Sequence, residues 1–203
     1  MGKHLNSIDN KIISRIYGLK RGIVFTPKKF RDLGSKQAVF NALKRYVESG
    51  TIRRLAPGLY DYPRKHPKLG LIAPSVDSIA NALKGSEAIR IQPSGAYAAN
   101  LTGLSEQLPM KIIFLTDGPR KLVKVGRQEI RLIPTTPRMM AMSGKISGLV
   151  TQALKHMGKQ QIDEKMIAKL KKRLSQKDKK QLLDDISYPP AWIGDIFRTL
   201  ANE

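Results

Sequence analysis

Residues 34–63 read GSKQAVFNALKRYVESGTIRRLAPGLYDYP. Ser35 follows a glycine and suits a helix N-cap, because its hydroxyl can accept one of the unpaired N–H groups of the first turn. Val39, Ala42, Leu43, Tyr46 and Val47 then fall on one face at helical spacing, and Gln37, Asn41, Lys44, Arg45 and Glu48 project from the other. Gly50 ends the run. Thr51–Leu55 and Gly58–Pro63 flank Ala56-Pro57-Gly58, where Pro-Gly fits the two central positions of a tight turn. The stretch predicts a helix followed by a hairpin.

Working outward, Ile8, Ile12 and Ile16 repeat every four residues and predict an amphipathic helix from Ser7 to Tyr17. Residues 22–26 (GIVFT) predict a brief strand. Thr26 before Pro27 predicts the start of a short helix, residues 27–33, stopping at Gly34. The order helix, strand, short helix, helix, hairpin is that of a winged helix-turn-helix, placed at residues 1–66. Residues 64–74 (RKHPKLGLIAP) read as a connector, and a second domain spans 71–203. In that second domain residues 74–85 and 93–103 predict helices, 87–92 and 110–118 strands, and 121–134 a hairpin turning at Gly126. The expected sheet is small and antiparallel, with helices on one side. Residues 141–203 carry three further helical stripes. The fold class expected is α+β, with a winged helix-turn-helix first and a mostly helical C-terminal region.

Charge says most about partners. The chain has 203 residues with 37 Lys+Arg against 16 Asp+Glu, a net charge of +21 and a pI near 10.3. Residues 1–70 hold 16 basic and 4 acidic residues, net +12, over half the excess. A surplus concentrated on one segment points to a polyanion, since each phosphate neutralised releases condensed counterions. With no cysteine, disulfides, thiol catalysis and Cys-based zinc sites are excluded. His4, His66 and His156 lie far apart, so no histidine metal cluster is expected, and no cofactor. The first residues lack an apolar signal core and no apolar run approaches about 20 residues, so a soluble cytoplasmic protein is expected.

In a helix-turn-helix the second helix enters the major groove. Lys36, Gln37, Asn41, Lys44 and Arg45 are the candidate base contacts: the amides can pair two-pronged with adenine, the cations with guanine or phosphate. Lys28, Lys29 and the Ser35 amide are candidates for backbone phosphates, the last because helix N-termini favour anions. Arg53 and Arg54 sit beside the wing turn and complete the candidate set. No enzyme is expected. There is no G-x-x-x-x-G-K-[ST], G-x-S-x-G or H-E-x-x-H, and no Asp-x-Asp follows Gly34-Ser35 or Gly85-Ser86. Asp184 and Asp185 are helix neighbours that diverge by about 100° and cannot share a metal. His156 reads as a surface residue, Trp192 as a core anchor, and the basic run of residues 169–180 as a solvated face. The alternatives are a winged-helix RNA binder or a protein-interaction regulator. Against the first, aromatics are only 6% and no strand pair of stacking type occurs.

Residues 34–63 also resemble the N-terminal winged helix of AbiEi-like antitoxins of bacterial abortive-infection (type IV) toxin–antitoxin systems. The matching positions are Leu43, Tyr46, Val47, Gly50, Ile52, Arg54, Leu55, Gly58, Leu59 and Tyr60. A second motif follows in order at Arg90, Gly95, Ala98, Ala99, Gly103, Leu104, Ser105 and Pro109. The resemblance spans roughly residues 5–140. It implies a transcriptional repressor that binds double-stranded DNA at its own operon and acts as an antitoxin in antiviral (phage) defence. The functional partner implied is a nucleotidyltransferase-like toxin, opposed without a stable protein–protein complex.

Overall fold

The computed structural model describes residues 7–202, so the first six residues of the expected N-terminal domain lie outside the described residues. The chain is a mixed α+β protein that divides into two compact units, Met1–Gly85 and Ser86–Glu203.

The first unit opens with α1 (Ile8–Tyr17), capped by Ser7, whose hydroxyl accepts the Asn10 N–H at 3.2 Å. Ile12 and Ile16 are fully buried. After β1 (Val24–Phe25), residues Pro27–Phe30 form a 3₁₀ turn, not the short α-helix expected. Thr26 is extended as an N-cap should be, but its side chain makes no capping bond. The N–H groups of the turn bond three residues back, that of Lys29 to the Thr26 carbonyl at 3.1 Å and that of Arg31 to the Lys28 carbonyl at 3.4 Å, the pattern of a short 3₁₀ run. Phe30 instead drops into the core, edge-on to Phe25 with centroids 5.6 Å apart.

Next comes α2 (Lys36–Glu48), with the Ser35 hydroxyl accepting the Ala38 N–H at 3.2 Å. Then β2 (Arg53–Ala56) and β3 (Leu59–Asp61) pair across a turn in which Gly58 adopts φ +70°, a value only glycine takes freely. With β1 they make an antiparallel sheet of order β1-β3-β2, and the register slips between Arg54 and Ala56. Val39, Ala42 and Leu43 of α2 close the core over Ile12, Ile16, Phe30, Ile52 and Tyr60.

The expected connector is in fact a second hairpin, β4 (Arg64–His66) and β5 (Gly70–Ile72), paired only with each other. Its proline lies in the turn rather than in a strand. The turn is closed by the His66 Nδ1, which accepts the N–H groups of Lys68 and Leu69 at 3.2 and 3.3 Å. The following helix, α3 (Val76–Lys84), was expected in the second domain but packs with the first unit. The Ser78 hydroxyl takes the Val24 N–H at 3.0 Å and donates to the Gly22 carbonyl at 3.3 Å. The division therefore falls after Gly85, not between residues 66 and 71.

The second unit contains β6 (Ile91–Ser94), α4 (Gly95–Leu101), β7 (Lys111–Thr116), β8 (Lys121–Val125) and β9 (Gln128–Pro134). The sheet order is β6-β7-β9-β8, and β7 and β9 run parallel, so the sheet is mixed rather than antiparallel. The β8–β9 hairpin turns at Gly126, φ +58°. It swings its more apolar strand inward, which sets Ile130 and Leu132 opposite Ile112 and Phe114, all four buried. Lysine-bearing β8 is left on the edge, where charge discourages pairing with another chain.

Five helices complete the unit: α5 (Pro137–Met140), α6 (Ile146–Met157), α7 (Glu164–Arg173), α8 (Gln176–Asp184) and α9 (Ala191–Ala201). Val150, Ala153 and Leu154 of α6 share a core with Ala98, Leu170, Leu182, Ile193, Phe197 and Leu200. Trp192 is not the anchor expected. Ile193 and Phe197 take the interior, and the indole, half-buried, lies at the rim with Ile162 and Ile167. His156 is exposed, as read from the sequence. Asp185 is 3% exposed and held by Lys145 at 2.9 Å, the Ser147 hydroxyl and Gln181 at 2.9 Å, while Asp184 faces solvent. Among the described residues no group of three or more acids or histidines could hold a metal, and no helix is long and apolar enough to cross a membrane.

One charged pair inside the first unit has a large expected effect. Asp61 is fully buried, and Arg53 donates to its Oδ1 at 3.0 Å and to its Oδ2 at 2.5 Å. The same guanidinium donates to the Ile72 carbonyl at 2.7 Å. Arg53→Ala strands a carboxylate in the core and is expected to lower stability by about 3–5 kcal/mol in urea unfolding. Arg54→Ala, on the exposed side of the same strand, is expected to shift it by less than about 0.5 kcal/mol. In the second unit, Arg90 holds the Asp117 carboxyl below its usual range through side-chain and backbone N–H donation, each at 2.8 Å. A depressed folded value means the contribution is fully present above the unfolded carboxylate pKa, about 3.9, and is lost as pH falls through the folded one. Arg90→Ala removes the side-chain donor and keeps the backbone one, so it should raise the Asp117 pKa part of the way back to its ordinary range, read by carboxyl NMR.

Candidate nucleic-acid interface

The outward face of α2 follows from its apolar stripe. With Val39, Ala42 and Leu43 inside, the 100° step between residues turns Lys36, Gln37, Asn41 and Lys44 to solvent, and all four are exposed. Gln37 Nε2 donates to Asn41 Oδ1 at 3.0 Å, so the two amides lie side by side one turn apart. Each keeps further donor and acceptor positions for a ligand. Lys44 lies 3.9 Å from Glu48, an exposed pair of little energetic weight. At the start of the helix the Ser35 hydroxyl is taken up by Ala38, and the first-turn N–H groups of Lys36 and Gln37 have no intrahelical acceptor. Lys28 and Lys29 are exposed on the 3₁₀ turn that precedes it.

Two of the candidates are otherwise engaged. Arg53 is tied to buried Asp61 and to the backbone of β5, so it is a structural anchor and leaves Arg54 as the exposed cation of β2. Arg54 is exposed, one residue from the register slip beside the Pro57-Gly58 turn. Arg45 donates to both oxygens of Asp9 at 2.6 Å, and the adjacent Tyr46 hydroxyl donates to the Asp9 carbonyl at 2.8 Å. Arg45 therefore braces α2 against α1. A second brace acts on the other side: Arg15 grips Asp32 at 2.6 and 2.7 Å and donates to the Lys29 carbonyl at 2.9 Å. The Arg15 guanidinium holds the Asp32 carboxyl below the usual carboxylate range.

Phe40 was not singled out from the sequence, yet it is 46% exposed in the middle of this face, one turn from both Lys36 and Lys44. The signal was present. Phe40 sits one step off the stripe that begins at Val39, and a large apolar residue there has no core to enter. Asp61 was also missed, although it and Arg53 are placed symmetrically about Pro57 and pair directly across the hairpin.

The fold and its surface define a basic α+β protein whose N-terminal unit presents a helix bearing amides, cations and one aromatic ring. The chain belongs to the DUF6088 family, a family of unknown function, whose model matches residues 11–182. The match runs from α1 into α8 and so covers most of both units. No curated protein matches the chain.

Because Phe40 contributes to the surface and not to the core, Phe40→Ala should change the urea unfolding free energy by about 0.5 kcal/mol or less. Leu43→Ala, three residues on and fully buried, should cost about 2–5 kcal/mol in the same measurement.

Proposed function

We propose that the first unit is a winged helix-turn-helix that binds a specific double-stranded DNA upstream of its own operon and represses transcription there. The observation that carries this reading is the outward face of α2, where Lys36, Gln37, Phe40, Asn41 and Lys44 stand exposed together. Gln37 and Asn41 offer the two-pronged amide that reads adenine, the lysines donate to guanine or phosphate, and Phe40 offers an apolar contact for a thymine methyl. Lys28, Lys29 and the free N–H groups at the helix start supply phosphate contacts. In this reading Arg54 extends the grip from the wing.

The antitoxin role rests on the resemblance to AbiEi-like proteins. In the second motif, Arg90 is fixed by Asp117 and donates to the Met140 carbonyl at 3.1 Å, and Gly103 takes φ +77° directly beneath the Arg173 guanidinium. In this reading these positions serve as scaffold rather than as reacting groups. The proposed partner is a nucleotidyltransferase-like toxin of the same operon, opposed without a stable complex.

Fluorescence anisotropy with the upstream duplex, a random duplex and a hairpin RNA tests the DNA reading. The upstream duplex should bind tightest, with affinity falling steeply as salt rises. Gln37→Ala with Asn41→Ala should remove about 1–3 kcal/mol of discrimination per lost base contact, about tenfold to a hundredfold. Preference unchanged in that double variant would refute the assignment of α2, and tighter binding of hairpin RNA would favour the RNA alternative. Co-expression with a neighbouring nucleotidyltransferase reading frame tests the antitoxin role through restored growth.

A further inference from the structure

The β4–β5 hairpin contributes no residue to the buried core of the first unit. Arg64, Lys65 and His66 of β4 are all exposed, as are Lys68, Leu69 and Leu71, the two leucines at 73% and 56%. A two-stranded ribbon that buries so little is marginally stable by itself. Here it is held from below. Arg53 donates to the Ile72 carbonyl at 2.7 Å, and Arg21 donates to the Pro63 carbonyl at 3.2 Å while lying 4.6 Å over the Tyr62 ring. The His66 imidazole fixes the turn through the two N–H groups it accepts. The result is a rigid projection whose exposed surface is mainly cationic.

No acidic residue occurs between Asp61 and Asp77, and Asp61 is itself buried against Arg53. Arg64, Lys65 and Lys68 therefore act without a neighbouring carboxylate along the chain. At the ribbon's base, Lys65 and Leu71 help line a cleft of about 490 Å³ together with Tyr17, Gly50, Thr51 and Tyr62. Gly50 and Thr51 follow the C-terminal end of α2. The base of the ribbon thus lies about 20 Å along the 13-residue helix from Lys36.

We propose that the β4–β5 ribbon is a second, sequence-independent grip on duplex DNA, in which Arg64, Lys65 and Lys68 neutralise backbone phosphates flanking the site read by α2. This rests on the duplex-binding reading of the first unit. A two-stranded ribbon is narrow enough to follow a groove, and an offset of about 20 Å from Lys36 is short enough for both sets of cations to reach one duplex. Backbone cations position a protein without reading sequence.

The salt dependence of binding counts these contacts. For full-length protein on a random 30-base-pair duplex, log K against log salt should fall with a slope of about −0.9 per phosphate neutralised. The triple variant Arg64→Gln, Lys65→Gln, Lys68→Gln should make that slope shallower by about 2.7 and weaken binding about 500-fold at 0.1 M salt. The double variant Lys65→Gln, Lys68→Gln, less demanding of the hairpin, should make it shallower by about 1.8. The charge-preserving set Arg64→Lys, Lys65→Arg, Lys68→Arg should keep the wild-type slope. A steep wild-type slope that both glutamine variants retain overturns the ribbon's role and leaves the α2 reading standing. Loss of slope on hairpin RNA but not on duplex also overturns it. A wild-type protein that does not bind duplex at all overturns both.

Discussion

The Arg53 guanidinium is the constraint on which the N-terminal unit depends. From β2 it reaches the buried carboxylate of Asp61 on β3 and the backbone carbonyl of Ile72 on β5. Three strands from two separate sheets are therefore referenced to one planar group. A buried ion pair often adds little net stability over a hydrophobic substitute, because desolvation opposes the attraction. What it fixes here is geometry. The β2–β3 hairpin and the ribbon beyond Pro63 leave the core in set directions because Asp61 of the one and the Ile72 carbonyl of the other are bonded to the same side chain.

The same economy runs through the rest of the unit. Residues 1–70 contain four acids, and each has a basic partner: Asp9 with Arg45, Asp32 with Arg15, Glu48 with Lys44, and Asp61 with Arg53. Sixteen basic residues less these four leave twelve, which is the net +12 of the segment. Two of the pairs brace α1 against α2 and the turn before it. The acids thus organise the scaffold, while the surplus cations are left for the surface. Lys28, Lys29, Lys36, Arg54, Arg64, Lys65 and Lys68 all belong to that surplus, and all are exposed.

Local signals carried the sequence reading as far as local physics goes. Ser35, the Val39–Val47 stripe and Pro57-Gly58 each act over a few residues, and α2 and its hairpin appear where they were expected. Arg53 and Arg54 show where such signals end. Alternation says that adjacent strand residues face opposite ways, but only the cross-strand register, which brings Asp61 opposite Arg53, decides which one turns inward. In sequence the β4–β5 ribbon reads as a connector because three-residue strands are too short to show a period. The parallel pairing of β7 with β9 depends on a contact across a whole hairpin, which no window along the chain contains. Trp192 and Ile193 are neighbours on one helix, and the partners on α6 and α8 decide which enters the core.

A chain with so many unpaired cations faces a problem of selectivity. In the proposed complex, Lys28, Lys29, Arg54 and the three ribbon cations would make about six phosphate contacts, a salt slope near −5. Such contacts hold any duplex equally well, so by themselves they would distribute the protein over all available DNA. Discrimination must come from the few side chains that reach base edges, each worth about 1–3 kcal/mol. Gln37 and Asn41 suit that task because they are uncharged. An amide gains nothing from a phosphate's net charge, so its interaction with a base edge depends on the pattern of donors and acceptors it meets. The bond between Gln37 and Asn41 holds both amides on the outward face, which lowers the entropy cost of ordering them at a base edge. In the proposed complex the division is physical: cations would set how tightly the unit holds a duplex, and the paired-amide face on α2 would set which duplex it prefers.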